Sequence, residues 1–149
     1  WGGGRCVIDY SGVSTEKDEK SPRIVAYPAE GQTNVQRAFD NENPDPLPGG
    51  DEEAGIAISL TFFDEPEVRD AAVEVTEKSG VSVDGYLSSQ EKPARSDFPN
   101  EHSIVFIPSN PLDANVKYHV KVTATVNGEA YTKEWDFTSG QKMAEGRNW

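Results

Sequence analysis

The chain has 149 residues and a net charge of −12, from 26 acidic and 14 basic side chains. This length fits one domain with its own hydrophobic core, and 35% hydrophobic against 27% charged residues is typical of a globular protein. No apolar run approaches the roughly 20 residues of a membrane-spanning helix. A body this acidic repels phosphate backbones and anionic headgroups, so we expect no membrane insertion and no nucleic-acid partner.

The two ends of the chain differ from the rest. Residues 6–10 (CVIDY) are an extended apolar stretch, and residues 11–21 are polar and charged with Val13 as their only apolar side chain, a composition typical of a linker. Residues 141–149 carry no hydrophobic period and are predicted to form a disordered tail. The folded body is therefore predicted to span residues 22–140.

Inside this body apolar and polar side chains alternate with a period of two, the period of β-strands. Extended segments are predicted at residues 23–27, 56–62, 73–75, 81–83, 86–88 and 104–107. Pro28 ends the first of these segments. Residues 104–107 are apolar throughout, as in a strand buried on both faces, and Pro108 closes that run. Short strands with turn residues between them predict an all-β sandwich.

Residues 118–137 give the most specific local prediction, a β-hairpin. Asn127 and Gly128 supply the two positive-φ positions of a type I′ turn. That turn predicts the cross-strand pairs Val126–Glu129, Thr123–Thr132, Lys121–Glu134, Val120–Trp135, His119–Asp136 and Tyr118–Phe137. These pairs bring aromatic and aliphatic side chains together on one face and opposite charges together on the other.

Tyr118 begins the first strand of this hairpin, directly after the loop of residues 111–115. Its hydroxyl can cap that loop, as in the tyrosine corner of Greek-key sandwiches. The alternative is an ordinary core aromatic at a strand end, and the sequence favours neither.

The chain lacks the residue patterns of an enzyme or of a zinc site. A catalytic triad needs a Ser, Cys or Thr beside a base. The only histidines are His102, predicted in an exposed loop, and His119, predicted to pair with Asp136 on the solvated face of the hairpin. One cysteine and two separated histidines cannot supply tetrahedral zinc ligands. We therefore assign no catalytic, cofactor-binding or metal-binding residue.

Acidic side chains are concentrated in residues 40–67, which contain nine Asp and Glu residues and no Lys or Arg. Asp40, Glu42 and Asp45 lie in a Pro-rich loop, and calcium takes six to eight oxygens from loops of this kind. However, Asp45 occupies the position where a twelve-residue calcium loop has its glycine. The sequence favours a solvated acidic loop at residues 40–53 and leaves a calcium clamp as the alternative.

Exposed aromatic rings can serve as platforms for sugars. Trp135 is assigned to the core face of the hairpin, whereas Phe63, Tyr86 and Phe98 border predicted loops. Their spacing does not separate a sugar platform from ordinary core aromatics. A carbohydrate site is therefore an alternative function.

Three parts of the chain resemble bacterial Ig-like domains. Residues 27–35 (YPAEGQTNV) resemble the opening of that family. Residues 103–112 (SIVFIPSNPL) followed by 118–122 (YHVKV) resemble its closing pattern, and residues 137–140 (FTSG) resemble its end. The resemblance implies an Ig-like Greek-key β-sandwich of about seven strands over residues 22–140.

A narrower resemblance rests on residues 44–49 (PDPLPG) and 7–10 (VIDY). These are similar to a C-terminal module that follows CAP domains, members of the cysteine-rich secretory protein superfamily, in exported bacterial proteins. The resemblance implies that residues 1–21 are the end of that preceding domain and a polar linker. Cys6 is then either a small buried thiol or bridged to an upstream cysteine.

These observations predict a non-catalytic accessory or spacer module of an exported bacterial multidomain protein, outside the cell or in the cell envelope. Its loops would contact a protein or cell-surface partner, and we expect a monomer. The alternative is a carbohydrate- or cell-surface-binding module. Stabilisation of that module by bound calcium stays open.

Overall fold

The structure is a computed structural model that describes residues 23–38, 54–96, 100 and 102–143. Within these ranges every regular element is a β-strand. The strands are β1 (Ile24–Tyr27), β2 (Ile58–Phe62), β3 (Val68–Glu77), β4 (Gly85–Ser88), β5 (Ser103–Pro108), β6 (Lys117–Val126) and β7 (Glu129–Thr138). The predicted all-β class is confirmed.

The seven strands form two antiparallel sheets. One has the strand order β1-β2-β5-β4, and the other has the order β3-β6-β7. Constant-type immunoglobulin domains divide their seven strands in the same way, with the first, second, fifth and fourth strands in one sheet and the rest in the other. The predicted seven-strand Greek-key sandwich is confirmed.

The core lies between the sheets and is built from alternate residues of each strand. In β2 the side chains of Ile58, Leu60 and Phe62 are buried, while the residues between them are partly exposed, as the period of two predicts. On the facing sheet Tyr118 and Phe137 are buried and stacked, with ring centroids 5.4 Å apart. Side chains from both sheets therefore form one hydrophobic core.

The hairpin of β6 and β7 has the predicted register throughout. All six expected pairs occur, from Val126 opposite Glu129 at the turn to Tyr118 opposite Phe137 at the other end. Asn127 and Gly128 have φ angles of 49° and 81°. These positive angles match the type I′ turn that the Asn-Gly pair predicts.

β5 is covered on both sides, as its continuous apolar sequence predicts. Ile104 and Phe106 belong to the main core, whereas Ile107 packs with Ala54 in a second, smaller cluster on the outer side of the sheet. Pro108 is the last residue of the strand, not the residue after it. It fits there because the pairing of β5 with β2 ends at Phe106, so no ladder hydrogen bond needs an amide at residue 108. Its carbonyl oxygen accepts a hydrogen bond from the Gly55 amide at 2.9 Å.

The strand predicted at residues 81–83 does not form. Ser82 makes only an isolated bridge with Thr76, and Val81 is 57% exposed. The chain reverses at Gly80, makes two backbone hydrogen bonds with the end of β3, and then crosses to β4 in the other sheet. The alternating valines therefore lie in a short crossing segment and not in a sheet.

β3 is longer than the predicted segment of residues 73–75. The register with β6 shifts between Arg69 and Ala72, and Asp70 has a φ of 51°. Such a bulge breaks the alternation of side chains, so the sequence pattern is visible only after it. β2, in contrast, is shorter than predicted because it begins at Ile58.

The chain leaves β1 at Pro28, where the Tyr27–Pro28 peptide bond is cis, and then runs along the edge of β7. The Gly31 amide donates to the Asp136 carbonyl oxygen at 2.8 Å, and the Thr138 amide donates to the Gln32 carbonyl oxygen at 2.8 Å. This segment therefore covers part of an edge that would otherwise present unpaired backbone groups.

Several predicted features lie outside the described residues: Cys6 and the linker of residues 11–21, the acidic loop of residues 40–53, and Phe98. The limits of the folded body, residues 22–140, stay a prediction. The described chain continues to Met143, and the Arg37 amide donates to the Lys142 carbonyl oxygen at 3.1 Å. None of the described residues belongs to a helix long and apolar enough to cross a membrane.

Candidate functional site

The outer faces of the two sheets differ sharply in charge. We call the outer face of β3-β6-β7 the charged face, and it is formed by Arg69, Ala72, Glu74, Thr76, Lys117, His119, Lys121, Thr123, Thr125, Ala130, Thr132, Glu134, Asp136 and Thr138. We call the outer face of β1-β2-β5-β4 the neutral face, and it is formed by Val25, Tyr27, Ser59, Thr61, Tyr86, Ser88, Ser103, Val105 and Ile107. No charged side chain belongs to the second set.

The charged face carries His119 between two carboxylates. The Nδ1 atom of His119 lies 2.6 Å from Oδ1 of Asp136, and its Nε2 atom lies 3.1 Å from Oε1 of Glu134. The Lys117 ammonium lies 3.4 Å from the other carboxylate oxygen of Asp136. The predicted cross-strand pair of His119 and Asp136 is therefore confirmed, and it is part of a larger ionic cluster.

The hydrogen bonds in this cluster shift the pKa values of His119 and Asp136 in the directions that favour their charged forms. The bonds to Asp136 and then Glu134 raise the pKa of the His119 imidazole above its ordinary value. The bond to His119 lowers the pKa of the Asp136 carboxyl. The side chains are still 40–51% exposed, so water screens their attraction.

The cluster lines a shallow depression of about 520 Å³ beside Glu30 and Thr33. A histidine that acts as a general base needs a free ring nitrogen directed at the nucleophile. Here both ring nitrogens of His119 contact carboxylates, so neither nitrogen is directed at a nucleophile. Among the described residues no group of three or more His, Cys, Asp or Glu side chains is arranged to hold a metal ion.

The part of the neutral face away from β4 consists of two rows of side chains that cross β1, β2 and β5. One row contains Val25, Thr61 and Ser103, with the two hydroxyl oxygens 3.0 Å apart. The second row contains Tyr27, Ser59 and Val105. Tyr27 is 42% exposed. It lies on the edge strand β1, at the margin of a surface of small hydroxyl and aliphatic groups.

The side of the neutral face nearest β4 is covered by other parts of the chain. Ser88 is buried, and its hydroxyl oxygen accepts hydrogen bonds from the Ala94 amide at 2.9 Å and from the Asn100 side-chain amide at 2.6 Å. Tyr86 packs partly buried in the small cluster around Ile107. Val105 packs against the same cluster, so the accessible surface is the one over β1 and β2, with Ser103 at its β5 side.

The structure assigns different environments to the aromatic candidates. Trp135 is buried in the core as predicted, and Phe63 is 46% exposed after the end of β2. Tyr86 lies on the neutral face but is half-buried. The sequence predicts Tyr27 only as a strand residue, because its place on an uncharged outer face depends on the pairing of β1 with β2.

Two further predictions concern Tyr118 and His102. The Asp113 amide donates to the Tyr118 hydroxyl oxygen at 2.9 Å, which confirms the tyrosine corner, and burial raises the pKa of this phenol. The prediction of an exposed loop for His102 is wrong: the residue is half-buried directly before β5, where its carbonyl oxygen accepts a hydrogen bond from the Phe62 amide at 2.7 Å.

Comparison with known proteins identifies the fold. No protein-family model and no curated protein matches the sequence, whereas 18 chains of solved structures match the fold. One of them is CopC from Methylosinus trichosporium OB3b, with a TM-score of 0.51 and 15% sequence identity, over 80% of this chain and 94% of that chain. It is a β-sandwich. At this identity the likeness shows the fold alone.

Proposed function

We propose that this chain is a non-catalytic interaction module of an exported bacterial multidomain protein. The observation that carries the proposal is the contrast between the two outer faces. On the charged face the side chains neutralise one another in pairs: Lys121, for example, lies opposite Glu134 on one side and Glu74 on the other. The neutral face has no such pairs, and uncharged surface is what protein and ligand interfaces use at their centres.

The geometry of His119 supports a non-catalytic role. It lines the depression beside Glu30 and Thr33, and both of its ring nitrogens contact carboxylates, Asp136 and Glu134. A substrate would have to break this ion pair in order to use the imidazole as a base. The face with the titratable groups is therefore better suited to solvation than to chemistry.

The Ig-like resemblance supports the placement in an exported protein. In the structure the opening and closing segments of that resemblance contact each other, because the Val35 amide donates to the Thr138 carbonyl oxygen at 3.2 Å and the Gly140 amide donates to the Val35 carbonyl oxygen at 2.8 Å. A Cβ atom on Gly140 would collide with Asn34. Residues about 100 positions apart in the chain thus have a joint structural role, as residues of a family pattern are expected to have.

We propose further that this module follows a CAP domain, with Cys6 near the junction. The full-length gene tests this, because it has to encode an export signal and a CAP domain upstream of Trp1. Fractionation of the native bacterium with an antibody against the chain tests the location. Recovery of the parent protein from the cytosol, or an upstream domain unrelated to CAP, would contradict this proposal.

A carbohydrate-binding module is the second candidate function. It is favoured by the exposed ring of Tyr27 beside the hydroxyl groups of Ser59, Thr61 and Ser103. A spacer needs no accessible aromatic ring on an uncharged surface, whereas a sugar-binding module does. Direct binding measurements separate the two functions.

A further inference from the structure

We infer that the neutral face binds an uncharged polysaccharide, with Tyr27 as the stacking platform and the hydroxyls of Ser59, Thr61 and Ser103 as hydrogen-bonding groups. This inference rests on the proposed function of an interaction module and assigns both the surface and the chemical class of its ligand. It is argued from the charge, the hydrogen-bonding capacity and the shape of that surface.

Charge selects the class of ligand. The chain as a whole carries a net charge of −12, and a body this acidic repels anionic ligands such as polyuronates, nucleic acids and phospholipid headgroups. The strand carboxylates that could attract a cationic ligand lie on the opposite face, where Glu134 and Asp136 already contact His119. The strands of the neutral face carry no charge of either sign. A charged ligand would therefore be desolvated there without a counter-charge, whereas an uncharged ligand would not.

Hydrogen-bonding capacity separates a sugar from a purely apolar ligand. Thr61 and Ser103 use one hydrogen bond for each other, across 3.0 Å, and every hydroxyl has one donor and two acceptor positions. Capacity therefore remains for a ligand that is itself rich in hydroxyls. A purely apolar ligand would bury these groups without partners, at a free-energy cost of about 1–3 kcal/mol for each group.

The shape of the surface fits an extended chain. Adjacent strands are about 4.8 Å apart, so the strip from β1 to β5 is roughly 10 Å wide. Tyr27 stands at one margin of this strip, and Val105 ends the same row on β5, where it packs half-buried against the small cluster around Ile107. A strip with an aromatic ring at one side and small side chains beyond it can accommodate flat pyranose rings laid along it.

A second copy of this chain is the competing occupant of the neutral face. An isologous dimer through this surface would bring two bodies of net charge −12 together. No opposite charge on the strands of the neutral face offsets that repulsion. We therefore assign the face to a polysaccharide and treat self-association as an outcome of the test.

The test measures binding of the full 149-residue chain to soluble polysaccharides by affinity electrophoresis in native gels. The gels contain hydroxyethyl cellulose, galactomannan or laminarin as neutral probes, and polygalacturonate as the anionic comparison. Two variants change the neutral face: Tyr27→Ala removes an exposed ring, and Thr61→Arg places a long charged side chain in the centre. Thr123→Arg is the matched control, since Thr123 is also half-buried on the central strand of its sheet but belongs to the charged face.

We expect at least one neutral polysaccharide, and not polygalacturonate, to retard the wild-type chain. Tyr27→Ala and Thr61→Arg should each weaken that binding about tenfold or more, because the first removes the stacking platform and the second places a long charged side chain in the path of the ligand. Thr123→Arg should bind as the wild type does. Circular dichroism confirms that each variant is folded, and Tyr27→Ala decides the question if Thr61→Arg does not fold.

Three results would overturn the inference: no retardation by any of the three neutral probes, equal weakening by Thr61→Arg and Thr123→Arg, or a dimer in light scattering that Thr61→Arg alone dissociates. The last result would assign the face to a second copy. Each of these leaves the exported location intact, because fractionation of the native protein tests that separately.

Discussion

The indole nitrogen of Trp135 donates a hydrogen bond to the carbonyl oxygen of Pro28, at a distance of 2.8 Å and across 107 residues of sequence. Trp135 lies on β7, and Pro28 follows β1 in the other sheet. Both residues are buried. This single bond therefore ties the two sheets together at the point where the chain crosses from one to the other.

Replacing Trp135 with Phe should lower the free energy of unfolding by about 2–4 kcal/mol. The substitution leaves the buried Pro28 carbonyl oxygen without its donor and opens a cavity beside it. Urea unfolding followed by far-ultraviolet circular dichroism measures the loss. Phe63→Leu is the control, because Phe63 is 46% exposed and should change stability by no more than about 0.5 kcal/mol. Equal losses in both variants would contradict this interpretation.

Removing the Tyr118 hydroxyl should cost about 1–2 kcal/mol, because the Asp113 amide then loses its acceptor. Tyr131→Phe is the matched control. The Tyr131 ring packs edge-to-face on Phe62, and its hydroxyl makes no hydrogen bond within the part of the chain that the structure describes. Thermal unfolding of Tyr118→Phe and Tyr131→Phe measures the difference, and a control as unstable as Tyr118→Phe would argue against a tyrosine corner.

Gly128→Ala should destabilise the hairpin through its backbone alone. Gly128 has a φ of 81°, and a Cβ atom there would meet no other atom within 4 Å. The cost is that of a left-handed conformation for a residue with a Cβ atom, about 1–2 kcal/mol. Gly128→Asn should recover part of this loss because asparagine tolerates such angles. If the Asn variant is no more stable than the Ala variant in urea unfolding, crowding or altered pairing is responsible.

The ion pair of His119 and Asp136 should stabilise the fold most between about pH 4 and pH 6.5. The raised pKa of His119 gives a contribution that is complete below its ordinary value near 6.5 and is lost as pH rises through the folded-state pKa. The lowered pKa of Asp136 gives a second stabilising contribution. It is complete above the ordinary Asp value near 3.9 and is lost as pH falls through the folded-state pKa. Because the groups are exposed, the effect should be about 1 kcal/mol or less.

Asp136→Asn tests the cause of this pH dependence. The His119 pKa, measured by NMR titration of its ring protons, should fall toward the ordinary value when the carboxylate is replaced, and Glu134→Gln should produce a smaller fall. The stability difference between wild type and Asp136→Asn should also shrink above neutral pH. An unchanged His119 pKa in Asp136→Asn would show that the ion pair does not persist in solution.

The sequence predicts the hairpin of β6 and β7 completely because its information is local. Asn127-Gly128 fixes the turn, and the turn fixes every pair along two ten-residue strands. The alternation in β2 is equally local, and it separates buried Ile58 from half-exposed Ser59 without reference to any neighbour. Where a bulge interrupts the alternation at Asp70, the same reasoning underestimates the length of β3.

The sequence does not predict the candidate surface, because its residues come from strands that are far apart in the chain. Tyr27 and Val105 share a row only because β1 pairs with β2 and β2 pairs with β5. No local pattern around residue 27 distinguishes an open aromatic ring from a covered one. The sequence-based choice of Phe63, Tyr86 and Phe98 as platform candidates therefore missed Tyr27.

By itself the sequence determined the all-β class, the turn and register of the last hairpin, and which side of most strands faces the core. Each of these depends on side chains within a few positions of one another. The tertiary structure decided that segment 81–83 is a crossing, that Tyr118 caps the loop at Asp113, and that one outer face is charged while the other is neutral. These depend on contacts between distant strands, which become neighbours only when the two sheets pack.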